Sequence, residues 1–296
     1  LQAAGVQTLG ITGAASNSGT VLGQASQTAN LGSLNNTGTW QANQGGTISV
    51  TGDITNSGTL TVSTVTGKHG SVSASNIDNQ AGGTMQSAGN LNLTLAGTQL
   101  NNAGKVLAAG DLGIATTGSN AAIINKINAY LQAGGTLSLS KTGTASLDNQ
   151  AGANALGNGL NIQATGLTNA GTLQGGAEGS TIQLANTLSN SGTLTFATAA
   201  GGASSISADT INNTKLSGLS LQTSGKVTFA ANSTGLTDGT VTLADGGVLN
   251  VDSGRSITFN GTVSAAGGTI MARTYGDRFG SIFTNADRSE ERRVGK

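Results

Sequence analysis

An asparagine returns along this chain every 19 to 24 residues, each time in the same box: aliphatic, any residue, Asn, small or polar residue, Gly, Thr, aliphatic. It reads Leu34-Asn35-Asn36-Thr37-Gly38-Thr39-Trp40, then Ile54-Thr55-Asn56-Ser57-Gly58-Thr59-Leu60, and later Leu188-Ser189-Asn190-Ser191-Gly192-Thr193-Leu194. The repeated positions are Asn17, Asn36, Asn56, Asn79, Asn102, Asn125, Asn149, Asn169, Asn190 and Asn213. A repeat of this length is one supersecondary unit that cannot bury its apolar side alone, so the chain must fold as a stack. Function is then expected on a long surface rather than in a pocket.

Composition excludes the ordinary alternatives. The 48 Gly residues come with no Pro, so collagen is ruled out, and recurrent Leu, Ile and Val with only 9% charged residues argue against disorder. No run of 18 apolar residues occurs, so no transmembrane helix is expected. Basic and acidic residues balance at 13 each and form no basic stripe, which argues against a nucleic-acid partner. The absence of Cys removes disulfides and thiolate metal sites.

Each repeat has a second half. In Met85-Gln86-Ser87-Ala88-Gly89-Asn90-Leu91-Asn92-Leu93-Thr94-Leu95, the three late Leu residues alternate with Asn92 and Thr94, the period of a strand with one buried face. Gly residues at the breaks are expected to supply positive φ. Three strand-plus-turn sides fill a repeat of about 20–23 residues. The fold class expected is therefore all-β, a parallel β-helix with three short strands per coil, right-handed by the general preference for parallel crossovers. Roughly 13 coils at about 4.8 Å each give a rod on the order of 60 Å long.

The repeats are read over 1–216, with more irregular coils over 217–287. Asn125 is the weakest copy, since no Gly-Thr follows it, and 123–131 also fits helical spacing; an irregular coil is the preferred reading. The tail Arg288-Ser289-Glu290-Glu291-Arg292-Arg293-Val294-Gly295-Lys296 departs from everything before it. It matches the translation of a common short-read sequencing adapter and is set aside as non-native. Starting at Leu1 without a signal peptide, the chain reads as an internal fragment.

Leu100-Asn101-Asn102-Ala103-Gly104-Lys105-Val106-Leu107-Ala108-Ala109-Gly110-Asp111-Leu112 resembles the haemagglutinin repeat of filamentous haemagglutinin and related two-partner-secretion exoproteins. The similarity extends through imperfect copies from about Asn17 to Asn213. It implies a right-handed β-helical shaft, exported through a dedicated outer-membrane two-partner-secretion transporter. Such a shaft would be extracellular or displayed on the outer surface of a bacterial cell. The role implied is that of an adhesin, with a host-cell glycan or protein receptor, or the stalk of a contact-dependent toxin. The family's secretion domain carries an Asn-Pro-Asn-Gly-type motif, and a chain without Pro lacks it. Gly276-Asp277-Arg278 holds the residues of an Arg-Gly-Asp motif in another order, so integrin binding does not carry over.

Catalytic, cofactor and metal sites are expected to be absent. A carbohydrate-active β-helix would need carboxylates gathered on neighbouring coils. Asp78 and Asp148 fill the slot before the repeated Asn, but so do Thr55, Asn101, Thr168 and Ser189, which marks a tolerant turn position. His69, the single His, reads as a loop residue. Asp238, Asp245 and Asp252 recur every seven residues before Gly, and turn initiation explains them better than calcium, since one per side puts them on different corners. Two roles remain open for Asn36, Asn56, Asn79, Asn102, Asn149, Asn169, Asn190 and Asn213. They are either a ladder of side-chain amides bonded from coil to coil or merely good turn residues.

Overall fold

The computed structural model describes residues 1–197 and the strand segments 203–213, 220–223, 226–236, 240–243, 248–259, 263–265 and 269–274, with side chains described for 1–196 and 204–208. Asp238, Asp245, 276–278 and the tail 288–296 lie outside the described residues, as do the side chains of Asp252 and Asn213.

Every described strand pairing is parallel, and equivalent strands of successive coils lie side by side. In the coil that closes at Asn102, Thr84–Ser87 forms the first side, Leu91–Leu95 the second and Gln99–Asn102 the third. Their partners one coil on are Lys105–Ala108, Leu112–Thr116 and Ala121–Asn125. The first sides build a sheet of 13 strands. The second and third sides share the other sheet, because in two early coils the chain runs through the corner between them as one strand, Gln7–Asn17 and Gln27–Asn36. The molecule is thus a β-solenoid with three strands per coil.

The alternation seen in the sequence decides what points inward. Leu91, Leu93 and Leu95 are fully buried, while Asn92 is exposed and Thr94 half-buried. On the third side, Leu34, Ile54, Ile77, Leu100, Ile123 and Leu147 stack in register, so one column of aliphatics runs up the interior. Each coil covers the apolar layer of its neighbour, which is how a unit too small to fold alone is stabilised. Where the strands bulge, the core rebalances large against small. Val62 is the extra residue in Thr59–Ser63 and fills the room left by Gly70, whose added Cβ would strike its side chain. Phe196, another bulge residue, is fully buried where the second side carries Ser180 in the register position of Leu160.

Two expectations need correction. The box glycines do not have positive φ. A Cβ on Gly58 or Gly192 would instead collide with the carbonyl oxygen of Gly38 or Gly171 in the coil before, so Gly is required by close stacking. Positive φ appears elsewhere, at Gly45, Gly67, Gly179 and Asn120 and in four-residue corners closed by the bonds Gly83 N–H to Gln80 C=O, Ala129 N–H to Lys126 C=O and Ala153 N–H to Gln150 C=O, each 2.9 Å. Their third residues, Gly82, Asn128 and Gly152, carry φ of 86°, 62° and 78°, where a type II turn requires it. This also removes the doubt over Asn125. Asn128 takes the glycine's slot, so the coil is regular although its box is not, and 121–133 holds two strands and no helix.

Candidate functional surfaces

The corner between the third side and the next first side is where the repeated Asn residues converge. Asn36, Asn56, Asn79, Asn102, Asn125, Asn149 and Asn169 have no exposed surface, Asn190 is 1% exposed and Asn17 7%. Strand register puts them one above another. From Asn17 to Asn190, each Nδ2 donates to the Oδ1 of the next Asn at 2.7–2.8 Å, through eight consecutive bonds. The second hydrogen of each Nδ2 goes to a backbone carbonyl that opens the first side one coil on. Asn102 reaches Tyr130 at 2.9 Å and Asn149 reaches Thr172 at 2.9 Å, and the eight such bonds span 2.9–3.3 Å. The backbone carbonyl is used as well: Asn36 accepts from Ser57 and Gly58. Asn17 and Asn125, which the sequence reading leaves out of the ladder candidates, belong to this column. Asn213 pairs with Asn190 in backbone register.

Only an amide side chain offers an acceptor and two donors together. A carboxylate in the same place would face the Asn oxygen and the carbonyl above with nothing to donate. That is the local physical reason for one residue type at this corner.

The other two corners are exposed and chemically mixed. Between the first and second sides, the Asn90 N–H donates to His69 Nδ1 at 3.0 Å, the Asp111 N–H to Asn90 Oδ1 at 3.0 Å, and the Thr136 N–H to Asp111 Oδ1 at 2.8 Å. Between the second and third sides, Asp53 Oδ1 accepts from the Asn76 N–H at 3.2 Å and Asn76 Oδ1 from the Thr98 N–H at 2.9 Å. Each side chain caps a backbone amide one coil on. His69 is therefore an exposed corner residue that accepts one backbone hydrogen bond.

A buried polar contact absent from the sequence reading lies in the early coils. Trp40 Nε1 donates to Gln27 Oε1 at 2.6 Å, and Gln27 Nε2 donates to Gln7 Oε1. All three residues are under 7% exposed. Gln7 and Gln27 share a register position, which a comparison of coils could have flagged as polar residues in an inward slot.

Asp78 and Asp148 lie in one outward column, separated by Asn101 and Ile124. Three coil steps are on the order of 14 Å, beyond the separation at which two carboxylates flank one glycosidic bond. Each is instead met by its own corner Gln, with Gln80 and Gln150 donating at 3.2 Å. Among the described residues no three His, Cys, Asp or Glu side chains gather as a metal site would require, and no helix is long and apolar enough to cross a membrane. No protein-family model, curated protein or solved structure matches the chain.

Proposed function

We propose that the chain is a shaft segment of a large secreted or surface-displayed bacterial exoprotein of the haemagglutinin type, serving adhesion. The observation that carries this reading is the continuous column of buried Asn residues from Asn17 to Asn190, closed in six coils by the small-Gly pair of the haemagglutinin-like box. The two exposed corners support it too, since side chains such as His69, Asn90, Asp111, Asp53 and Asn76 bond backbone amides one coil on. A shaft needs uniform, self-templating coils more than a concave site. Export would run through an outer-membrane two-partner-secretion transporter, and a host-cell glycan or protein would be the receptor of the whole protein.

Two measurements test this. Small-angle scattering of the purified chain should give the profile of a rod on the order of 60 Å long, for 13 coils at about 4.8 Å. Antibodies raised against the chain should label intact cells of the source organism, and labelling should vanish when the transporter gene is deleted. A globular scattering profile, or labelling only after lysis, would overturn the reading.

A further inference from the structure

The outward surface of the first side carries a second periodicity, twice that of the coils. Register aligns Gln2, Gln41, Gln86, Gln132 and Gln174 at every second coil. The coils between them place Leu22, Thr61, Leu107 and Leu156 in the same row. Thr195 follows Gln174, and the backbone register carries the alternation on to Gln222 and Thr242. The row is hidden in the sequence because coil lengths vary. Packing of the core does not demand it: the Gln and Leu side chains of the row from Gln2 to Gln174 are exposed or half-buried, while Thr61 and Thr195 are covered, at 3% and 6% exposed.

We propose that this face binds an uncharged, extended β-1,4-linked polysaccharide lying along the rod axis. Two coils span about 9.6 Å. A β-1,4-linked chain with twofold symmetry presents the same edge at every second sugar, a comparable repeat. Each Gln amide has donors and an acceptor suited to sugar hydroxyls. Gln41 Nε2 already donates to Asn43 Oδ1 at 2.7 Å and Gln86 Nε2 to Thr61 Oγ1 at 3.0 Å, which leaves each of these two an acceptor oxygen and a second hydrogen. Leu107, Leu156 and the neighbouring Tyr130 offer apolar surface to the C–H faces of the rings between. A shallow groove of about 440 Å³ follows this row across four coils, past Thr61, Gln86, Leu107 and Gln132. Charge selects the occupant: among the described outward residues of the first side, Lys105 is the one ionised group, so an anionic polymer would meet no matching array. The proposal goes beyond the shaft reading and does not depend on it, because a rod could lack this ligand and a binder need not be an exported shaft.

The test is depletion of the purified full chain from solution by insoluble cellulose, chitin and β-mannan, with calcium alginate gel as the anionic probe. At least one neutral polymer should deplete the protein, and alginate should not. Gln132→Ala/Gln174→Ala should weaken that binding at least tenfold with an unchanged circular dichroism spectrum and melting temperature. Gln163→Ala, on the second side, should bind as the parent does. Failure of all three neutral polymers, tighter binding to alginate, or full binding by the Gln132/Gln174 variant would overturn the proposal. None of these outcomes alters the scattering profile that tests the rod.

Discussion

The buried Asn corner and the exposed corner at His69, Asn90 and Asp111 perform the same task with different freedom. Both tie coil to coil through side-chain hydrogen bonds. At the buried corner, Asn102 must donate twice and accept once, to Asn125 Oδ1, Tyr130 C=O and from Asn79, with no water to make up a shortfall. At the exposed corner, Asn90 accepts from the Asp111 N–H and donates to Asp111 Oδ2 at 3.4 Å, and solvent can replace either bond. Imidazole, amide and carboxylate all serve there. Burial, more than the geometry of the bond, therefore fixes residue identity.

The same substitution made at both corners tests this most directly. Asn102→Asp deprives Asn125 Oδ1 and Tyr130 C=O of their donors. At about 1–3 kcal/mol for each buried group left unsatisfied, a loss of roughly 2–6 kcal/mol is expected by urea denaturation at pH 7. Burial beside acceptor oxygens raises the folded-state pKa of the new carboxyl above its unfolded value. The variant is then closest to the parent below the unfolded pKa, and its deficit grows as pH rises toward the folded one. A deficit of the same size at pH 3 and pH 7 would show that the carboxyl is not held in the column.

Gly58→Ala should cost about 1–3 kcal/mol, the range for overpacking, because the new Cβ meets the rigid carbonyl of Gly38. A silent Gly58→Ala would mean that the coils can part at this corner. Thr116 supplies a contrast from the interior: its Oγ1 is buried without a hydrogen-bond partner. Thr116→Val should raise stability by about 1 kcal/mol, since it removes an unsatisfied group at almost constant volume. A loss on that change would place a bonding partner at Thr116. The smallest loss belongs to Asn90→Asp: it keeps the acceptor for the Asp111 N–H but gives up the bond from Asn90 Nδ2 to Asp111 Oδ2 and sets two carboxylates side by side, and with solvent screening the cost should stay below about 1 kcal/mol. If it matched Asn102→Asp, the contrast between the corners would collapse.

This contrast also explains what could be read from the chain beforehand. Three strands per coil and the identity of the inward aliphatics were legible, because burial enforces both the period of two and the repeated Asn. Asn125 looked doubtful only because its turn, 126–129, uses Asn128 where other corners use Gly. The capping residues His69, Asn90 and Asp111 left no common letter to follow, since water relaxes their chemistry. Trp40, Gln27 and Gln7 come from three coils, and their contact emerges only once register is known. The role given to glycine holds at Gly45, Gly67, Gly82, Gly152 and Gly179 and fails at the box glycines, because sequence shows where Gly is needed without separating a dihedral requirement from a steric one.

Every amide in the Asn column points the same way, toward the following coil. Removing one whole coil, or copying one, would therefore leave each donor facing an acceptor as before. Length becomes a parameter that gene duplication and deletion can adjust in whole steps without a fresh core. Joining two such rods tail to tail would set donors against donors at this corner, so only head-to-tail extension preserves the pattern. The column thus gives the molecule an arrow as well as a repeat.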